Sequence, residues 1–338
     1  MTQVKTSAPE TTSAPKVGTY REALRLALYE AMKADERVVL IGEEVGAYGG
    51  AYAVTQGLFA EFGPGRVLDT PISEPTIVGA AIGAAMTGLR PVAELMYVDF
   101  AGLAMDQIAN QAAKIRYMFG GQAGVPMVLR TQGGTGRSAG AQHSQSLEAW
   151  FMHTPGLYVA MPATVSDAYV LLKAAMQLED PVIFIEHKGL YTQKGTFEPE
   201  NEPPFGKAAV RRQGTDVTII SYSRMLNRCL EAAEQLAQVG VDAEVVDLRT
   251  LRPLDSETMV DSVIKTGRAL IVTEDTLTAG VSAELSALVQ EGAFDYLEEP
   301  IMRLAGEDIP IPVSPDLEAN AIPTTDLIVQ AARKLLRR

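Results

Sequence analysis

The segment Ala141–Phe151, AQHSQSLEAWF, holds one of only three histidines in 338 residues. That residue, His143, follows the glycine-rich run Gly133–Gly140 and sits among polar neighbours. An imidazole changes charge near neutral pH, so a histidine in this setting is a candidate for proton transfer. His153 and His187 fall at a helix end and a strand end, where packing or hydrogen bonding is expected of them. The acid upstream that stands out is Glu74, which closes the run TPISE at Thr70–Glu74. With Ser73 before it as a cap and Pro75 after it, Glu74 opens a small-residue helix. A carboxylate there also has a plain structural use against the helix dipole.

These side chains need a scaffold. Tyr20–Ala34, Glu74–Gly88, Asp99–Phe119 and Thr164–Leu178 read as helices, whereas Val38–Ile41, Pro91–Leu95, Pro126–Thr131 and Pro181–Glu186 read as strands. Strands alternating with helices of this length imply a parallel sheet covered on both faces. Charge, Pro and Gly replace the periodic pattern in Tyr191–Phe205, which sets a domain 18–195, a linker 196–205 and a second domain 206–338. In the second, Asp216–Ser221, Ala243–Leu248 and Ala269–Thr273 read as strands, and Arg224–Val239, closed by Gly240, and Ser282–Glu291 as helices. The fold class is α/β, with two domains that are each a mainly parallel sheet with helices on both faces. Residues 1–17, rich in Thr, Ser, Ala, Pro and Lys, read as a disordered tail rather than a signal or transit peptide.

Composition narrows the function. A net charge of −13 disfavours nucleic acid, which requires clustered Lys and Arg, and suits a basic protein partner. The apolar runs fall short of the ~20 residues a bilayer crossing takes, so no membrane span is expected. The single cysteine, Cys229, cannot form an intrachain disulfide and reads as packing, so nothing calls for an oxidising compartment and a cytoplasmic location is expected. Gly134–Ala139, GTGRSA, matches the dinucleotide fingerprint G-x-G-x-x-A, but no acid follows at the required distance within Gly156–Pro162. The run reads instead as a flexible connection, or as a loop whose missing side chains let a substrate approach backbone amides.

TPISE, MYVDF at Met96–Phe100, RYMFGGQ at Arg116–Gln122, AQHSQSLEAWF and DLRTLRPLD at Asp247–Asp255 together give a specific pattern. In this order and spacing the chain, from about Tyr20 onward, resembles the β subunit of thiamin-diphosphate-dependent 2-oxo acid dehydrogenases. The resemblance implies a transketolase-like pyrimidine-binding domain followed by a transketolase C-terminal-like domain. It also implies half of an active site. The α subunit of such an α2β2 heterotetramer carries a GDG…NN signature that binds diphosphate through magnesium, and this chain has no GDG. Glu74 then matches the glutamate that hydrogen-bonds the aminopyrimidine ring of thiamin diphosphate, sharing a proton that activates the cofactor. Phe100 matches an aromatic wall beside that ring, and His143 matches a channel histidine that would protonate the leaving sulfur of a lipoyl group.

The same resemblance implies a potassium ion on backbone carbonyls, which alignment through PMVLR and KAAMQLEDPVI places at Met127, Ala175, Met176, Leu178 and Asp180. The chain departs there, with Leu178 and Asp180 in place of the Asp and Asn common in relatives. Ile77 also departs from many relatives, which place a Phe there, and RTQGG at Arg130–Gly134 from pyruvate-specific ones, which keeps acetoin cleavage as the alternative to decarboxylation of pyruvate or a branched-chain 2-oxo acid. A nucleotide-dependent dehydrogenase or a non-catalytic scaffold are further alternatives. Partners implied are the α subunit and a lipoyl acyltransferase, the latter through its lipoyl and basic peripheral-subunit-binding domains. The acids Glu298, Glu299, Glu307, Asp308, Asp316 and Glu318 offer that basic domain an opposite charge, and Arg337 and Arg338 would oppose it.

Overall fold

The computed structural model describes residues 16–337. Most of the tail, and Arg338, lie outside the described residues, but Lys16 and Val17 do not belong to a tail. They open strand β1 (Lys16–Thr19), whose backbone pairs antiparallel with residues 194–197. Helix α1 (Tyr20–Ala34) starts on a capping box in which the Thr19 amide donates to Glu22 at 2.8 Å and the Glu22 amide donates back to the Thr19 hydroxyl at 3.4 Å.

The first unit continues with β2 (Val38–Gly42), α2 (Leu58–Phe62), β3 (Val67–Asp69), α3 (Glu74–Met86), β4 (Arg90–Leu95), α4 (Ala113–Met118), β5 (Val128–Gly133), α5 (Glu148–Met152), β6 (Tyr158–Ala160), α6 (Val165–Ala175), β7 (Val182–His187) and β8 (Lys194–Phe197). The second runs β9 (Ala209–Arg212), β10 (Val217–Ser221), α7 (Ser223–Gln238), β11 (Ala243–Asp247), β12 (Thr250–Arg252), α8 (Ser256–Thr266), β13 (Ala269–Thr276), α9 (Val281–Ala293), β14 (Met302–Gly306), α10 (Pro315–Asn320) and α11 (Thr325–Leu335). Residues 196 and 197, expected in the linker, are the second half of β8.

Two sheets organise the chain. The larger has the order β12-β6-β7-β5-β4-β2-β3, parallel except for β12, and the smaller β14-β13-β10-β11-β9, parallel except for β9. Strands β2, β5 and β7 are buried along their whole length, as sandwiched parallel strands must be. Each large-sheet face has its own apolar layer, one built on Ile77, Ala81 and Leu129 and the other on Leu24, Leu40 and Phe184. The second unit contributes strand β12 to the first unit's sheet, where Thr250 lies opposite Ala160 and Arg252 opposite Val159.

The long helix expected over Asp99–Phe119 is three segments: a 3₁₀ turn (Val98–Ala104), a π-helical stretch (Asp106–Ala112) and α4. Ser73 does not cap α3 either, because its hydroxyl bonds the Thr76 hydroxyl at 2.7 Å. Behind the broken helix, Gly156 has φ +100°, and a Cβ there would meet the Ala113 carbonyl oxygen at 1.9 Å. Gly156→Ala is therefore expected to lower stability by about 2–3 kcal/mol, from a strained backbone plus a direct clash. A urea midpoint equal to that of the parent protein would show that this crossing is slack.

Candidate active site

Every large-sheet strand except β12 is parallel, so their carboxyl ends share one edge. The chain leaves β2 for β3 on one side and returns to lay β4 on the other. The crevice beyond the carboxyl ends of β2 and β4 is thus the switch point at which open α/β sheets bind ligands. Glu43 stands immediately after β2, Tyr97 and Phe100 follow β4, residues 134–147 follow β5, Lys188 follows β7, and Glu74 opens α3 just after β3.

Glu74 is only 6% exposed, yet no group among the described residues hydrogen-bonds its carboxylate. Its oxygens are not among the fully buried unpartnered atoms, so the carboxylate of this largely buried residue keeps an open side on which a ligand could donate to it. Its neighbour Glu43, which sequence reasoning missed, is also buried and leaves Oε1 without a partner. Burial first, then the charges of Glu74, Glu44 and Glu94, push the Glu43 pKa above the usual carboxylate range. Its position at the strand end of GEEVG was the available signal.

The structure brings Phe100 and His143 together. The imidazole of His143 stands edge-on to Phe100, with centroids 5.3 Å apart, and to Tyr97 at 4.9 Å. Tyr97 in turn contacts Phe100 at 5.7 Å, and its hydroxyl accepts from the Tyr52 hydroxyl at 3.4 Å. Helix α3, headed by Glu74, packs on the 3₁₀ turn that carries Phe100. The His143 backbone is also held: its carbonyl accepts a hydrogen bond from the Lys188 ammonium, which lies 5.3 Å from the Tyr97 ring centre. Burial depresses the Lys188 pKa to about 8, against the opposing pull of Asp99, Glu274 and Glu318. Asp99 in turn accepts from the Gln145 amide at 3.2 Å and from its side chain at 2.9 Å, tying down the loop just beyond His143.

The run Gly134–Ala139 is neither a phosphate cradle nor a flexible connection. Its amides are taken by carboxylates of the second unit: Thr135 donates to Glu274 at 2.7 Å, and Gly136 and Ser138 donate to Glu318 at 2.9 and 3.0 Å. Gly134, at φ +81°, is required because a Cβ would fall 2.1 Å from His187 Nε2. His187 Nδ1 accepts from the Gly189 amide, so its proton sits on Nε2, facing Glu274 at 2.9 Å. Burial lowers the pKa of that imidazole, although Glu274 pulls the other way. His187 therefore has the hydrogen-bonding role expected of it, whereas His153 lines a cavity of about 1100 Å³ between the two units, together with Ser144, Trp150, Asp275 and Ile309.

At the five carbonyl positions, Met127 accepts from the Val182 amide at 3.0 Å and Ala175 from the Leu178 amide at 3.2 Å. Met176 and Leu178 both accept from one nitrogen of Arg90 at 3.2 Å, and the Asp180 carboxylate pairs with Arg116. Of the six acids in the second unit, Glu318 is buried in the clasp just described, Glu298 pairs with Arg268 and Glu299 with Arg337. Glu307, Asp308 and Asp316 remain exposed, with Asp308 bonded to Thr278.

Comparison with known proteins matches residues 17–194 to the transketolase pyrimidine binding domain and residues 206–328 to the transketolase C-terminal domain. A solved split-gene transketolase, an inactive β4 tetramer, superposes with a TM-score of 0.79 at 25% identity, covering 95% of this chain and 99% of that one. Fold and site thus define a member of the transketolase-like class. Within it, the chain is 48% identical over 319 residues to the pyruvate dehydrogenase E1 component subunit beta of Rhizobium meliloti, covering 93% of this chain and 69% of that one. It is 44% identical over 332 residues to the mitochondrial counterpart of Dictyostelium discoideum, covering 97% and 93%. The chain belongs to the family of pyruvate dehydrogenase E1 β subunits, components that work with an α subunit and depend on thiamin diphosphate.

One further group on the inter-unit surface titrates unusually. Burial first, then nearby Asp275, push the Glu148 pKa up to about 8, although Tyr222 donates to its Oε1 at 3.0 Å. The folded state then holds a proton that the unfolded chain releases near pH 4.5, so this group's stabilisation is full below that pH and is lost as pH rises toward 8. Glu148→Gln keeps an acceptor for Tyr222 and is expected to flatten the fall in urea midpoint between about pH 5 and 8. An unchanged slope would mean that Glu148 ionises normally.

Proposed function

We propose that this chain supplies the pyrimidine half of a thiamin diphosphate site and, in an α2β2 heterotetramer, decarboxylates pyruvate and passes the acetyl group to a lipoyl domain of an acyltransferase. The observation that carries the reading is the Glu74 carboxylate, which no described group hydrogen-bonds, at the carboxyl edge of the large sheet on a helix packed against the turn that carries Phe100, itself in contact with His143. A protonated ring nitrogen is the kind of donor Glu74 lacks within its own chain. The bound cofactor supplies the carbon nucleophile and the electron sink for decarboxylation. Glu74 holds a proton at the aminopyrimidine nitrogen. Phe100 and Tyr97 form an apolar wall that excludes water and fixes the imidazole of His143. His143 delivers a proton to the lipoyl sulfur that leaves as the acyl group is transferred. Magnesium and the diphosphate fall to the α subunit, since this chain has no GDG.

Pyruvate is preferred to acetoin because the relatives named above are pyruvate dehydrogenase components. The nucleotide-dependent alternative loses its support with the Thr135, Gly136 and Ser138 amides occupied. Docking of the acyltransferase's basic domain on the second unit rests on fewer acids than the sequence offered, chiefly Glu307, Asp308 and Asp316. No helix among the described residues is long and apolar enough to cross a membrane, and we assign the protein to the cytoplasm on composition.

Two substitutions in the assembled enzyme separate the roles. Glu74→Gln should preserve assembly and lower turnover ~100-fold or more, the scale of general acid–base assistance. Turnover close to that of the parent would reduce Glu74 to a helix-end carboxylate. His143→Ala should retain decarboxylation with an artificial electron acceptor while losing most transfer to a lipoyl domain. Equal losses in both assays would place His143 in substrate binding instead.

A further inference from the structure

Of the five backbone carbonyls that the family resemblance assigns to potassium, two are already met by an arginine side chain in this chain. The carbonyls of Met176 and Leu178 lie just past the end of α6, where unpaired carbonyls and the helix dipole favour a positive charge. That charge is already present. One terminal nitrogen of Arg90, on the first residue of β4, donates to both carbonyls at 3.2 Å, and the other pairs with the Glu179 carboxylate. A second guanidinium closes the loop from the opposite side: Arg116 pairs with Asp180 and donates to the Glu179 carbonyl at 3.0 Å. Both acids are already paired with a guanidinium, and an alkali ion entering here would meet two positive groups. An arginine cannot shed its proton to make room.

We propose that Arg90 is the resident cation of the 176–180 loop, and that this loop is ordered without a bound alkali ion. Leu178, where relatives carry an acid, fits this arrangement, because with the positive charge delivered by a side chain the loop needs only the carbonyl at that position. The inference concerns the loop and does not depend on the chemistry proposed above.

The test uses the purified protein assembled with its α partner, dialysed into tetramethylammonium chloride and titrated with potassium chloride at constant ionic strength. The thermal midpoint of the parent protein is expected to stay flat across the titration. A saturable rise with potassium, absent with sodium or tetramethylammonium, would overturn the proposal. Arg90→Met keeps the apolar stem and removes the charge, and is expected to lower the midpoint by several degrees in tetramethylammonium. An Arg90→Met midpoint equal to the parent's would also overturn it, by showing that the loop needs no cation from Arg90. If the variant does not fold, the potassium titration of the parent decides alone.

Discussion

One guanidinium sits where the large sheet can least tolerate it. Arg130 is 1% exposed in the middle of β5, with Glu94 of β4 on one side and Glu186 of β7 on the other, at 2.5 and 2.6 Å. Burying an ion is expensive unless its hydrogen bonds are met, and here the two flanking strands meet them. Glu186 also accepts from the Tyr191 hydroxyl at 2.6 Å, Tyr191 stacks on Tyr52 at 4.6 Å, and Tyr52 reaches Tyr97, which flanks His143. The imidazole is thus aligned by a continuous series of contacts whose far end is a charge locked into the sheet. The same centre bears on the acids of the crevice, because Glu94, held by Arg130, adds to the burial and the charges of Glu74 and Glu44 that raise the Glu43 pKa.

The second unit stabilises the site without contributing a reacting group to it. Glu274 and Glu318 hold the glycine-rich loop that leads into His143, accepting one and two of its backbone amides respectively. On the far edge, Asp167 of α6 receives Arg249 at 2.7 Å and also pairs with Arg211, which reaches Glu202 and Asp247 as well. Burial and the charge of Asp167 push the Asp247 pKa up to about 7, the cost of gathering three acids around two arginines. Positioning of the His143 loop is therefore a property of both units together.

What could be read from the sequence depended on how local the signal was. Tyr20–Ala34 and the buried strands were legible because a helical period or a short apolar run carries its own evidence. Phe100 and His143 were legible through their motifs, and the structure places them in contact. The break in Asp99–Phe119 was hidden, since apolar spacing does not distinguish 3₁₀, α and π turns over a few residues. The Arg130 centre was hidden for another reason: its partners lie 36 and 56 residues away, and nothing local pairs them. Glu318 read as one more surface acid, and only tertiary structure shows it buried against the glycine-rich loop.

Strand β12 gives the order of synthesis a structural meaning. Residues 250–252 form the outermost strand of the first sheet, next to β6, yet they are made about ninety residues after it. Until they leave the ribosome, the first unit presents β6 as an unpaired edge, the kind of surface on which strands of other nascent chains add. The chain therefore cannot close its first sheet during translation before most of its second has been made, and early termination anywhere ahead of β12 would release a product with an open, pairing-competent edge.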